Sequence, residues 1–175
     1  MITEDNNLRV MQLFFESPEK RFHIRQIARL TGISSTGVIK IVKKLKRHGL
    51  LKSRKERMVE EVEADFERRF IHVKRAHNLV SLYDSGLVEA LNEFYEEPQA
   101  IVLFGSYGEG TDISRSDIDV AVVTKNDEMP ELGKFEKSLH RKIRLQTISL
   151  EKAPAEFKNS LANGIVLSGY LEAVK

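Results

Sequence analysis

Asp117 and Asp119 stand two residues apart in the run Ser116-Asp117-Ile118-Asp119-Val120-Ala121-Val122-Val123. The apolar residues around them read as a strand, and side chains alternate along a strand. Both carboxylates therefore project from one face. Two acids so placed repel each other unless a cation lies between them. Mg²⁺ suits that place, because it takes hard oxygen ligands and keeps substrate phosphates and waters as the remaining ones. Upstream, the apolar run Ala100 to Phe104 enters Gly105-Ser106-Tyr107-Gly108-Glu109-Gly110. Glycines let backbone N–H groups approach a phosphate closely, a following helix N-terminus adds a favourable dipole, and the Ser106 hydroxyl is a further donor. A phosphate cradle next to a carboxylate pair serves displacement at phosphorus, in which metal ions align the attacking and leaving oxygens. A plainer reading makes Gly105 and Gly108 turn residues and leaves the acids facing water. Apolar strands seldom put two acids on one face without a role, which favours the first reading.

The rest of the chain has to position these groups. Its 175 residues allow one ordinary domain or two small ones. The net charge of +2 averages two opposite halves. Residues 1–75 hold 18 Lys/Arg against 10 Asp/Glu, and residues 76–175 hold 10 against 16. Within 20–57, 13 basic residues face one acid, Glu56. Such asymmetry points to nucleic acid as the partner of the first half. No apolar run approaches the roughly 18 residues a membrane span needs, so no membrane partner is expected. The start, MITEDNNLRV, lacks the pattern of a signal peptide, and the expected location is cytoplasmic. Zero cysteines exclude disulfides, thiolate zinc sites and cysteine nucleophiles. The five histidines show no metal-ligand spacing.

In the basic half, Leu8 to Phe15 forms a first helix, stopped by Ser17-Pro18. Phe22-His23 reads as a short strand. Ile24, Ile27, Ala28 and Leu30 make a second helical stripe that ends at Thr31-Gly32. Ser34 and Ser35 offer cap hydroxyls for a third helix with Val38, Ile41, Val42 and Leu45 inward, ending at His48-Gly49. Leu50 to Arg54 and Met58 to Val62 form a hairpin with a cationic tip. Residues 66–97 read as helix, with Phe70, Val73, His77 and Val80 as its stripe and a break near Asp84-Ser85-Gly86.

The segment RQIARLTGISSTGVIKIVKKLKRHGLL resembles the winged helix-turn-helix family of prokaryotic DNA-binding proteins. The resemblance implies double-stranded DNA as partner, with Ser35, Thr36, Lys40 and Lys43 toward the major groove. Arg47 and the tip residues Arg54, Lys55 and Arg57 would meet phosphates. Two-fold dimers are common among such readers, and a homodimer is an expectation here too. Protein–protein contact is the other known use of this fold; the near-absence of acids argues against it.

The acidic half looks like the GS…SDxD signature of the DNA polymerase β nucleotidyltransferase superfamily, in its minimal branch. Together the two resemblances imply an α+β chain of two domains: an N-terminal winged helix-turn-helix over 1–65 and a small mixed-sheet nucleotidyltransferase fold over 84–175, joined by a linker helix over 66–83. It implies Gly105 and Ser106 as nucleotide-binding residues. Asp117 and Asp119 become the catalytic magnesium ligands, with ATP or another NTP as substrate. Family members carry a third carboxylate on a later strand, and here Gln146 is expected in its place. Gln offers a carbonyl oxygen but cannot act as a base. Glu109 and Asp112 add negative charge where a triphosphate should sit. Two functions follow. One is a Mg²⁺-dependent enzyme moving NMP, AMP by family habit, to a hydroxyl acceptor, in the manner of antitoxins that pair with a HEPN-type protein. The other is a transcriptional regulator whose nucleotidyltransferase fold senses nucleotide or docks a partner.

Overall fold

A computed structural model describes residues 5–56, 59–151 and 153–172, and the side chains of all of these except 55, 56 and 59. The chain divides into two compact units, 1–74 and 75–175. The first begins with α1 (Asn6–Glu16), capped by the Asp5 carboxylate, which accepts from the Asn7 amide at 2.8 Å. After β1 (Arg21–His23) come α2 (Ile24–Thr31) and α3 (Ser35–Arg47). Gly32, at φ +69°, takes the left-handed conformation that ends α2 and lets the chain reverse. The Ser34 hydroxyl then accepts from the Gly37 amide at 3.2 Å and starts α3.

The hairpin β2 (Leu51–Glu56) and β3 (Val59–Ala64) forms an antiparallel sheet of order β1-β3-β2. Phe14, Ile27, Val38, Leu51, Val62 and Phe70 are fully or almost fully buried in its core. Phe14 meets Phe22 edge to face at 5.2 Å. Leu30, placed in the α2 stripe by its spacing, is instead 52% exposed, and Thr31 is buried, donating its hydroxyl to the Ile27 carbonyl.

Helix α4 (Arg68–Asp84) crosses the division between the units. Its buried positions are Phe70, Lys74, Asn78 and Leu82, at i+4 spacing. The expected stripe through Val73 and Val80 is half exposed. Periodicity misjudged this face because two of its four buried positions carry polar groups.

In the second unit, α5 (Leu87–Phe94) leads into a four-stranded sheet of order β6-β5-β4-β7. The strands are β4 (Ala100–Phe104), β5 (Ile118–Val123), β6 (Ile143–Ile148) and β7 (Ile165–Gly169). β4 runs antiparallel to β5 and β7, while β5 and β6 are parallel. One face packs Leu103, Ile118, Val120 and Val122 against Leu82, Leu87, Leu91 and Phe135, the last from α7 (Gly133–Leu139). The other packs Val102, Ala121 and Val123 against Leu161 and Phe157 of α8 (Ala155–Ala162). α6 (Gly105–Glu109) is the single turn that leaves β4.

Candidate functional site

β4 and β5 pair antiparallel with Phe104 opposite Asp119, so the glycine turn starts where the second aspartate projects. Gly105 sits at φ +70°, and a Cβ there would lie 2.7 Å from Asp119 Oδ2. Only a residue without a side chain fits both the backbone angle and the carboxylate beside it. Gly105 and Asp119 are thus brought into one site, as their spacing predicts. Asp117 lies just before β5, and Asp119 is its second residue.

The two carboxylates are joined by a residue that the motif does not contain. Arg144 Nη2 stands 2.8 Å from Asp117 Oδ2, and Nη1 stands 3.6 Å from Asp119 Oδ1. Parallel pairing of β5 and β6 puts Arg144 directly beside Asp119. Gln146, expected opposite the acids, pairs with Ala121, one step further along the same sheet face. The β6 residue directly beside Asp119 is therefore Arg144, with Gln146 two residues further along the strand.

Burial holds the Asp119 carboxyl above the usual carboxylate range, with Asp117 adding to the effect and Arg144 opposing it. Among the described residues no group of three or more His, Cys, Asp or Glu is gathered as a metal cluster. The pair can still contribute two carboxylate ligands to one Mg²⁺, which typically needs only one or two from the protein when substrate phosphates complete the shell.

Asp112 does not face a nucleotide. It is fully buried, accepts from Asn78 Nδ2 at 2.7 Å and lies 3.6 Å from Arg141 Nη2. Asn78 also donates to the Tyr107 carbonyl at 2.9 Å, tying α4 to the end of the glycine turn. The expected charge penalty from Asp112 is therefore absent, because Asp112 is an internal brace. Glu109 is exposed and accepts from the Thr111 hydroxyl at 3.2 Å. The turn borders a cleft of about 560 Å³, lined among others by Gly105, Gly108, Glu109, Arg75, Asn159 and Asn163.

In the first unit, Ser35, Thr36, Lys40, Lys43 and Arg47 all stand exposed on α3, and Arg54 is exposed on β2. Arg57 and the Lys55 side chain lie outside the described residues. The acids of β3 are matched by nearby bases: Lys46 reaches Glu60 at 3.4 Å, Arg21 reaches Glu63 at 2.8 Å, and Lys52 reaches Glu63 at 3.9 Å. Lys46 is also hydrogen-bonded to the Ser53 hydroxyl. Among the described residues Lys40, Lys43 and Arg47 take part in no ion pair, so the outer face of α3 keeps its positive charge. Ile39 lies within that face at 53% exposure, an apolar residue that sequence pattern did not single out. No described helix is long and apolar enough to cross a membrane.

Residues 87–170 match the family model described as Polymerase beta, Nucleotidyltransferase. The matched stretch runs from the start of α5 to the end of β7 and supports the nucleotidyltransferase reading of this unit. No curated protein matches the chain at a significant level.

Proposed function

We propose that the C-terminal unit binds a nucleoside triphosphate with Mg²⁺ and transfers its nucleotidyl group to a hydroxyl acceptor, while the N-terminal unit holds double-stranded DNA. The contact of Gly105 with the Asp119 carboxylate carries the first half of this reading, because it joins the phosphate turn and the acid pair. Asp117 and Asp119 would hold the metal, which supplies charge stabilisation at the phosphoryl oxygens. The Gly105 turn and the Ser106 hydroxyl are suited to grip phosphate oxygens. The acceptor hydroxyl oxygen bonds to the α-phosphorus, the bond to pyrophosphate breaks, and the acceptor's proton leaves to solvent. No third carboxylate joins the pair among the described residues to take that proton. A missing general base costs typically 10²–10⁴-fold in rate, so turnover is slow rather than absent.

The DNA reading rests on the uncompensated cations of α3 with Ser35 and Thr36 at its exposed start. The order helix, strand, helix, turn, helix, hairpin fits the winged helix-turn-helix resemblance. By the habit of minimal nucleotidyltransferases, the acceptor would be a HEPN-type partner, and the DNA-binding unit would repress the protein's own operon.

Arg144 favours a second reading, a regulator that senses nucleotide without transfer, because a cation already pairs with both acids. Incubation with α-labelled ATP, Mg²⁺ and a candidate HEPN-type partner separates the two. Label transfer that Asp117→Ala abolishes supports the enzyme. Nucleotide binding without transfer supports the sensor, and neither binding nor transfer refutes both.

A further inference from the structure

We infer that Arg144 is the resting counter-cation of the acid pair, and that it passes from the carboxylates to the triphosphate when metal and nucleotide bind. The inference rests on the metal–nucleotide reading of this site. Its grounds are the geometry of the guanidinium, which reaches one oxygen of each carboxylate at 2.8 and 3.6 Å. A guanidinium offers five donors in a planar fork and cannot lose its charge, so it can bridge two acids as a metal ion does. Strand register holds the Arg144 backbone beside Asp119 whatever the side chain does. The side chain itself is 62% exposed, against 35% for Asp117 and 20% for Asp119. A long, exposed chain on a fixed base can leave the pair without disturbing the sheet.

Two consequences follow from charge alone. A divalent cation entering between Asp117 and Asp119 must displace a positive group from the same oxygens, so Arg144 competes with free metal. Once displaced, the guanidinium remains next to the site, and a triphosphate is the anion it suits, through bidentate contact with phosphate oxygens. Arg144 therefore opposes metal alone and favours metal with nucleotide. Metal held idle would be disfavoured, and the loaded site would be assembled in one step. A merely structural salt bridge would not move the two affinities in opposite directions.

The test measures Mn²⁺ binding to the full chain by the electron paramagnetic resonance of the free ion. Binding of a non-hydrolysable ATP analogue with Mg²⁺ is followed separately by calorimetry. Losing two exposed ion pairs, Arg144→Ala should tighten Mn²⁺ alone by about threefold to tenfold. It should weaken the analogue with Mg²⁺ by a similar factor. Arg144→Lys, a point charge that cannot span both acids, should fall between on both measurements. A melting curve like that of the unaltered chain confirms that the exposed substitution leaves the fold intact. Mn²⁺ affinity unchanged or lowered in Arg144→Ala, with Asp117→Ala abolishing it, would overturn the role of Arg144 and leave the metal site standing. Analogue binding unchanged or tightened would overturn the transfer to triphosphate. Mn²⁺ binding that Asp117→Ala leaves untouched would instead remove the site on which the inference rests.

Discussion

Replacing Gly105 by alanine tests the junction between the glycine turn and the acid pair. The new Cβ would stand 2.7 Å from Asp119 Oδ2, where ordinary contact begins at 3.4 Å. Either the turn or the carboxylate must move by about 0.7 Å. Moving the backbone is resisted by β4–β5 pairing at Phe104 and Asp119. The carboxylate therefore gives way, and Asp119 leaves the geometry it shares with Asp117. A displacement of about 1 Å at a reacting centre costs on the order of 10²-fold in rate. The left-handed φ of +70° adds about 1–2 kcal/mol of strain for a residue with a Cβ. Gly105→Ala should thus lose transfer or Mn²⁺ affinity by tens of fold, while urea unfolding shows a loss of only about 1–2 kcal/mol. Gly133→Ala is the control, since a Cβ there meets nothing within 4 Å. A Gly105→Ala protein that keeps both stability and metal affinity within twofold would refute the contact on which the site is built.

Asn78→Ala should destabilise the chain by about 1–3 kcal/mol in urea unfolding, because it takes a donor from the buried Asp112 carboxylate and one of two donors from the Tyr107 carbonyl. A loss below about 0.5 kcal/mol would show that the brace is dispensable. The hydrogen bond from Lys142, with a second from the Ile143 amide, holds the Glu136 carboxyl below its ordinary 4.5. A lowered carboxyl stabilises the fold above its unfolded value and loses that contribution as pH falls through the folded value. The stability gap between the chain and Glu136→Gln should therefore be open at pH 7 and close in acid; a gap that widens on acidification would contradict the sign. On the proposed DNA reading of the N-terminal unit, Arg54→Ala should weaken binding to all duplexes alike and reduce the salt slope by about one. Lys40→Ala should change which sequences are preferred. Equal effects of both on every duplex, by fluorescence anisotropy, would count against groove reading by α3.

Local chemistry was legible in the sequence. Caps and stops such as Ser34, Gly32 and Pro18 act within a few residues, so the three short helices and the hairpin of the first unit could be read directly. The glycine turn and the acid pair were legible for the same reason: each motif is short, and alternation along one strand fixes which side its acids face. Charge segregation was legible because it needs only counting. What crosses between elements was not. Whether Arg144 or Gln146 stands beside Asp119 depends on the register of two parallel strands separated by α7, which no local pattern encodes. By spacing Asp112 is a repulsive charge beside the glycine turn, whereas Asn78, 34 residues earlier, holds it inside the fold. The buried face of α4 was misjudged because hydrophobic periodicity cannot see a polar side chain whose partners come from elsewhere. The residues proposed for phosphoryl chemistry were thus nameable from sequence, since side-chain type and short spacing suffice for that. Which cation answers the acid pair was decided only by tertiary structure, because register and burial arise when distant segments pack.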